Sequence, residues 1–321
     1  MDTNTRKPLV SVIMAAYNAE KYIGEAIESV QAQTYTNWEL IIADDAAKDA
    51  TGRIADEYAR KDPRINVIHL SKNSGQAIAR NEAVKIARGE YLAVLDADDL
   101  CLPERFAKQV AFLDSHPNVS AVGSYAQMID QNGTPQKIKI KAENNERIHF
   151  KLILGTQFIH SAVMMRKDAF NMLGGYDTNY LYAEDYDLWC RYADAGYELA
   201  NIPEILIRFR SQPGSVSVLA SSTQKIQAEH AYQVNERNLK PYLKLTRPQL
   251  EDMIAFINGW PMKTGPAFAS LKRYKLIVQE YVAKGAHTTE EQWQAILCYK
   301  DMRRELVITT LRRMFKSGLT N

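Results

Sequence analysis

Residues 91–100 read YLAVLDADDL, a run that starts like a buried strand and finishes with three carboxylates, Asp96, Asp98 and Asp99, within four positions. Carboxylates crowded at a strand end repel one another and resist desolvation. Two arrangements relieve this: a divalent cation that neutralises them, or a strand-to-helix turn left open to water.

The neighbouring segments say where this run sits. LVSVIMAA (9–16), WELIIAD (38–44) and INVIHL (65–70) are further short apolar runs of strand character, and YLAVLDA (91–97) completes the set. Between them, stretches near 20–33, 49–61 and 75–88 have helical spacing. Continuous apolar strands alternating with amphipathic helices imply a parallel sheet covered on both faces. Such sheets bind ligands outside the carboxyl ends of their strands. That rim would hold Ala15, Tyr17 and Asn18 after the first strand, Asp44 and Asp45 after the second, and Asp96, Asp98 and Asp99 after the fourth.

Farther along, Asn118 to about Ile140 reads as two more strands with a hairpin turn at DQNGTP, where Asn132-Gly133 is a strong turn signal. A helix is expected near 143–154, then a strand AVMMR and a helix running to LGGYD. AEDYDLWCRYADAG reads as a helix with Leu188, Trp189 and Tyr192 toward a core and Gly196 as its stop. Pro and Gly in FRSQPGSVSV mark a boundary, and the chain from about 221 is helical in pattern. Two domains are therefore expected, 1–220 and 221–321.

Composition excludes several classes. The 321 residues are 46% hydrophobic and 24% charged, as in an ordinary globular protein. A net charge of +2, with no dense Arg/Lys run interleaved with aromatics, argues against nucleic acid. Cys101, Cys190 and Cys298 lie far apart without metal-ligand spacing, which fits a reducing compartment and no zinc site. The polar start MDTNTRKPLV lacks a signal-peptide core, and no stretch approaches the roughly 20 apolar residues of a membrane span. The expectation is a cytoplasmic protein, or one lying on the inner face of the membrane without crossing it.

Six segments in order, VSVIMAAYNAEKYIGEAIESVQAQTY, ELIIADDAAKD, NSGQAIARNEAV, GEYLAVLDADD, GGYD and EDYDLWCR, resemble family 2 glycosyltransferases, the large inverting group with a GT-A fold. The resemblance covers roughly residues 8–217, and ordered agreement of this kind is far more specific than any lone motif. It implies an α/β, Rossmann-like fold with a mostly parallel central sheet flanked by helices, followed by a helical C-terminal appendage. It also implies Mn²⁺ or Mg²⁺ as cofactor, since hard carboxylate oxygens suit these ions.

By the same resemblance, Asp99 binds the metal in a DxD-type element, and Asp98 touches the ribose or shares the metal. Asp96 is the less certain member, the first acid of Asp96-Ala97-Asp98. Asp45 matches the acid that accepts a hydrogen bond from the pyrimidine, which suits the N3 proton of uracil or thymine, with Asp44 supporting its loop. Tyr17 either stacks on the base or packs at the rim, and Ala15 and Asn18 line the same nucleotide edge. Arg80 either reaches the base or diphosphate or pairs with a strand-end acid. Glu184 and Asp185 match the ED motif at a helix start, with Asp185 as the catalytic base; acids also favour that position through the helix dipole alone. Asp187 reads as a surface or capping acid.

The chain departs from the family pattern in two places. Ala46, Ala47 and Lys48 replace the usual Gly- and Ser-containing loop after the Asp pair. Gln212 stands where many relatives have a His able to approach the metal, leaving Arg210 to hold the diphosphate. His160 is the other His near the site, as a substrate contact or as a structural residue. At the C-terminus, Val307, Ile308, Leu311, Met314 and Phe315 form an apolar face beside Arg304, Arg312, Arg313 and Lys316. That face suits either peripheral contact with anionic lipid or packing against protein.

The expected function is transfer of a sugar from a nucleotide diphosphate donor, UDP-linked, to a hydroxyl of a saccharide or lipid-linked saccharide in cell-surface polysaccharide biosynthesis. Two rivals are a catalytically degenerate nucleotide-sugar-binding scaffold and a nucleotidyltransferase. The latter needs a Gly-rich basic loop after the first strand, which AAYNAEKY lacks. The donor sugar, acceptor, linkage and oligomeric state are not readable from these residues.

Overall fold

The structure, a computed structural model, describes residues 7–211, 222–257, 264–284 and 288–317, without the side chains of 222–225, 264 and 307–317. Gln212 and the apolar C-terminal face from Val307 to Phe315 therefore lie outside the described residues and side chains.

Strands β1 (Val10–Ala16), β2 (Trp38–Asp44), β3 (Ile65–His69) and β4 (Tyr91–Val94) alternate with helices α1 (Ile23–Gln31), α2 (Thr51–Lys61) and α3 (Gln76–Ile86). The four strands are parallel, in the order β3-β2-β1-β4. β2 is buried along its whole length and β1 nearly so, the result of helices on both faces. The two polar residues at the start of these strands, Ser11 and Glu39, satisfy each other: Ser11 Oγ donates to Glu39 Oε1 at 2.6 Å, and Arg88 supplies both its backbone N–H and its guanidinium. Burial alone would raise the Glu39 pKa, but these hydrogen bonds hold it below the usual value.

After β4 the sheet becomes mixed. The chain continues through β5 (Leu100–Cys101), α4 (Arg105–Ser115), β6 (Val119–Ile129), β7 (Pro135–Lys139), α5 (Asn145–Leu152), a 3₁₀ turn at His160–Ala162, β8 (Met164–Arg166), α6 (Lys167–Met172), α7 (Glu184–Asp194) and β9 (Glu198–Arg210). β8 runs antiparallel beside β4, and the full order is β3-β2-β1-β4-β8-β6-β9-β5, with β7 on the side of β6. The expected layout of a mostly parallel central sheet flanked by helices is present, with antiparallel strands added at one end.

Three strands differ from the sequence reading: β4 ends early, and β5 and β9 were not expected. The run expected to continue to Ala97 leaves the sheet after Val94, where the buried Arg105 guanidinium donates to the carbonyls of Val94 (2.9 Å) and Val163 (3.1 Å). This frees Leu95–Asp99 to turn, closed by the Asp99 N–H donating to Asp96 O at 3.1 Å. β9 was not read as a strand from the sequence, and it contains Pro203, a residue disfavoured in a paired strand. The structure accommodates it with a bulge: Ile202 pairs with Ser124 and Ile205 with Tyr125, so Pro203 and Glu204 need no ladder partner.

Helices α8 (Ser222–Leu239), α9 (Arg247–Ile257), α10 (Thr264–Ala283) and α11 (Thr289–Ser317) complete the chain. It divides into two compact units, Met1–Asn144 with Thr156–His230, and Asn145–Gly155 with Ala231–Asn321. A boundary read near 221 does not anticipate that α5 belongs to the second unit. There Phe150, Ile153 and Leu154 join Leu250, Met253, Tyr274 and Ile277 in one apolar core. Phe150 meets Tyr274 and Tyr281 edge-on at 5.9 and 5.1 Å, contacts worth about 0.5–1.5 kcal/mol each beyond burial.

Candidate active site

Strand register brings the acids to one rim. Ala16 pairs with Asp44 and Ile13 with Val94, so the segments following β1, β2 and β4 emerge side by side. The Asp45 N–H donates to Ala16 O at 2.9 Å and the Leu95 N–H to Ile13 O at 3.1 Å, which extends the alignment past the strands.

Asp45 is buried, and its two carboxylate oxygens accept the backbone N–H groups of Ser74 (2.7 Å) and Gly75 (2.8 Å) at the start of α3. Each oxygen retains a lone pair for a further donor. Asp44 shapes the loop, as expected: Oδ1 accepts the Ala47 N–H at 2.9 Å, and Oδ2 lies 2.9 Å from His69 Nδ1, whose other ring nitrogen reaches Asp56 at 3.1 Å. Hydrogen bonding to Asp44 leads the effects that raise the His69 pKa. Ala46 adopts φ +56°, a left-handed conformation that costs an alanine about 1–2 kcal/mol. Asn18 is also left-handed, at φ +50°, and its Oδ1 accepts the Lys48 N–H at 2.9 Å, tying the β1 and β2 loops together. Tyr17 is 42% exposed at this rim, so its ring is not packed away, and Ala15 is partly buried behind it.

Arg80 is buried and committed to acids. Its Nη2 donates to Asp96 Oδ1 at 2.7 Å and its Nη1 to Glu184 Oε1 at 3.0 Å. Of the two readings open for Arg80, the structure displays the ion-paired one, and the pair joins the β4 acids to the ED motif. Burial opposes ionisation of Asp96, but the Arg80 charge overrides it and holds the carboxyl below its usual range. The Asp96 N–H donates to the buried Ser161 Oγ at 3.1 Å.

Asp99 differs from Asp96. Its Oδ1 accepts the Arg210 N–H at 2.7 Å, while its Oδ2 is buried without a hydrogen-bond partner. Burial, followed by the charges of Asp98 and Asp96, pushes its pKa well above the usual value. An orphaned buried carboxylate oxygen is costly, and a cation beside it removes that cost. The residues fit Mg²⁺ or Mn²⁺: the donors are oxygens, and such ions take one or two protein carboxylates and complete their shell from phosphate and water. Among the described residues no group of three ligating side chains stands ready to hold a metal alone, so a substrate phosphate would have to complete the shell.

Arg210 is also committed within the protein. Nε donates to Asp98 O at 2.9 Å and Nη2 to Glu25 at 2.8 Å, and the guanidinium lies 4.4 Å from the Tyr22 ring centroid. Its backbone and side chain together pin the Asp98–Asp99 turn.

Glu184 and Asp185 open α7 side by side but meet different surroundings. Glu184 is buried with Oε2 unpartnered, and burial pushes its pKa up to about 7, Arg80 opposing and Asp185 adding. Asp185 is more open and is also raised by burial, with the Tyr186 N–H, Arg80 and Lys141 opposing. A raised pKa makes its carboxylate a stronger proton acceptor.

Asp187, read as a surface or capping acid, is not at the surface. It is fully buried, and its Oδ2 accepts from Arg191 Nε at 2.7 Å. Arg191 in turn donates to the carbonyls of Leu173 and Gly175, both at 2.7 Å, fixing the loop where Gly174 and Gly175 take φ +79° and +75°. That loop presents Tyr176 to His160, whose Nε2 lies 2.8 Å from the Tyr176 hydroxyl. Burial, then Arg80, lowers the His160 pKa to about 3, so the ring is neutral and packed between Tyr176 and Trp189. Leu188, Trp189 and Tyr192 face the core as expected. Sequence reasoning missed Ser161, the Asp187–Arg191 support and the Glu184 end of the Arg80 bridge, all of which depend on partners distant in the chain or on burial.

The glycosyl transferase family 2 model matches residues 11–174. EpsE of Bacillus subtilis (strain 168), which bears a provisional glycosyltransferase name, is 39% identical over 206 residues, 63% of this chain and 73% of its own. Two solved structures share the fold. S. aureus TarS 1–349 in complex with UDP-GlcNAc has a TM-score of 0.57 at 21% identity, covering 84% of this chain and 81% of that one. The mannosyltransferase PcManGT from Pyrobaculum calidifontis, in complex with GDP-Man and Mn²⁺, has a TM-score of 0.57 at 20% identity, covering 95% and 85%.

Proposed function

The chain belongs to glycosyl transferase family 2, and on that premise we propose that it is an inverting, metal-assisted glycosyltransferase. It moves a sugar from a UDP-sugar to a hydroxyl of a saccharide or lipid-linked saccharide in cell-surface polysaccharide biosynthesis. The observation that carries this reading is the Arg80 bridge, which ties Asp96 on the donor side to Glu184 beside the proposed base Asp185.

Asp45 accepts from the base through the lone pairs its two backbone donors leave free, and Tyr17 covers the base from the exposed rim. Asp99, through its orphaned Oδ2, and Asp98 would hold Mn²⁺ or Mg²⁺. The ion when bound neutralises charge on the leaving diphosphate. Asp185 takes the proton of the acceptor hydroxyl as that oxygen bonds to the anomeric carbon. The bond from that carbon to the diphosphate oxygen breaks on the opposite face, and its electron pair leaves with the nucleoside diphosphate, so the configuration inverts. General-base assistance of this kind contributes about 10²- to 10⁴-fold. The Asp187–Arg191 pair and the glycine loop keep the start of α7 in place during this step.

Two relatives in fold bind different bases, UDP-GlcNAc in one and GDP-Man in the other. The choice of a base with an N3 proton, uracil or thymine, rests on Asp45, and the dTDP arm of the test separates the two. The test is the thermal shift of the protein with UDP, dTDP, GDP and CMP, each with and without Mn²⁺. Selective stabilisation by UDP that requires the metal is the expected result. No response to any nucleotide overturns the reading, and firm binding without turnover on a broad acceptor panel would make the protein a scaffold.

A further inference from the structure

The segment PQKIK of β7 runs on into Ile140 and Lys141, so lysine alternates with isoleucine from 137 to 141. On a half-covered edge strand the apolar set normally faces the sheet's covered side and the charged set faces water. Here Ile138 and Ile140 are 50% and 65% exposed, while Lys139 is half-buried. An inward lysine can protect an edge strand from pairing with another chain, but that role does not require any particular seat for the ammonium.

Lys139 has one. Its Nζ lies 4.4 Å from the centroid of the Phe209 ring. Phe209 immediately precedes Arg210, whose N–H holds Asp99 Oδ1 at 2.7 Å. The register agrees: Lys139 pairs with Ala126 on β6, and farther along the same strand Met128 and Ile129 pair with Phe209 and Arg210. Burial lowers the Lys139 pKa, and the charges of Asp99 and, less strongly, Asp185 act on it in the opposite sense. Even so, among the described residues its ammonium makes no hydrogen bond and no ion pair, and Asp99 Oδ2 has no partner either.

A buried carboxylate and a partly buried lysine that close into an ion pair lower the cost of both. Among the described residues Lys139 and Asp99 form no such pair. The lysine needs an anion and the carboxylate a cation, and a metal-bearing diphosphate supplies both at once. Resting on the glycosyltransferase reading above, we propose that Lys139 binds the diphosphate of the sugar donor and holds it as the leaving group departs. Lysine serves phosphate well as a point charge. Lys141, two residues on and past the end of β7, is placed otherwise: its Nζ donates to Thr156 O at 2.8 Å and its charge acts on Asp185. The lysine row thus runs from the donor's phosphates toward the base.

The test is calorimetric titration of the full chain and of Lys139→Gln and Lys139→Arg with UDP, UMP and uridine in the presence of Mn²⁺, with thermal midpoints as the folding control. Lys139→Gln should weaken UDP roughly tenfold or more, UMP less and uridine not at all, with Lys139→Arg recovering most of the loss. Unchanged UDP affinity in Lys139→Gln overturns the proposal, and so does an equal loss for UDP and uridine. Unchanged UDP affinity with a raised acceptor KM would assign the lysine to the acceptor instead, also against it. Failure of the unmodified protein to bind any nucleoside diphosphate would remove the glycosyltransferase reading itself, an outcome distinct from the others.

Discussion

Arg80 and Glu184 are 104 positions apart in the chain, yet Arg80 Nη1 lies 3.0 Å from Glu184 Oε1 with each side chain only 2% exposed. The same guanidinium holds Asp96. Removing one member of a buried ion pair strands the other and typically costs about 3–5 kcal/mol. Arg80→Met should therefore lower the urea midpoint by an amount corresponding to a loss of that order, and Arg80→Lys, unable to span both acids, should recover only part. A midpoint equal to that of the unmodified protein would show that the bridge contributes nothing to stability.

Glu184 gives the pH dependence a sign. Its folded pKa of about 7 lies above the ordinary 4.5, so the native state binds this proton more tightly than the unfolded chain does. Stability from this group is full below about 4.5 and is lost as pH rises through about 7, with a slope of at most about 1.4 kcal/mol per pH unit. Glu184→Gln removes the titration. Unfolding measured from pH 4 to pH 8 should show the variant gaining on the unmodified protein as pH rises, and a constant difference would refute the assignment.

Asp185→Asn keeps the shape of the residue and removes the proton acceptor. Sugar transfer should fall by about 10²- to 10⁴-fold, while the UDP-induced thermal shift stays close to that of the unmodified protein. Loss of UDP binding in this variant would place Asp185 on the donor instead.

Ala46→Gly relieves the left-handed backbone at φ +56°. The variant should be more stable by about 1 kcal/mol, because glycine occupies that region without the Cβ clash. If UDP binding is retained as stability rises, the strain plays no part in recognition; weaker binding would mean the rigid alanine loop helps hold Asp45 in place.

Much of the site could be read from the chain because periodicity locates strand ends, and strand ends locate Asp45, Asp96, Asp98 and Asp99. The place of Asp185 at the start of a helix was legible from the ordered set of motifs. What stayed hidden depends on long-range partners. Arg80 reads equally well as a phosphate ligand or an ion-pair member until Glu184 is seen beside it. Asp187 reads as a surface or capping first-turn acid until the Arg191 side chain, reaching across to the glycine loop, is seen beside it. β9 went unread, and its Pro203, lacking an N–H, is accommodated at a bulge. The inverted edge strand at Lys139 follows the usual two-residue alternation, but alternation alone does not say which face is inside.

The membership of α5 in the second unit sets an order for synthesis. Phe150, Ile153 and Leu154 are made well before Cys298, their core companion on α11. At ordinary translation speeds the interval is roughly 7 to 30 seconds. For that time α5 has no completed core to enter, although the parallel strands preceding it are already available to pair. A chain stopped near residue 220 would hold that apolar segment permanently in the uncovered state, so a shortened catalytic unit is best made by replacing 145–155 as well as removing the end.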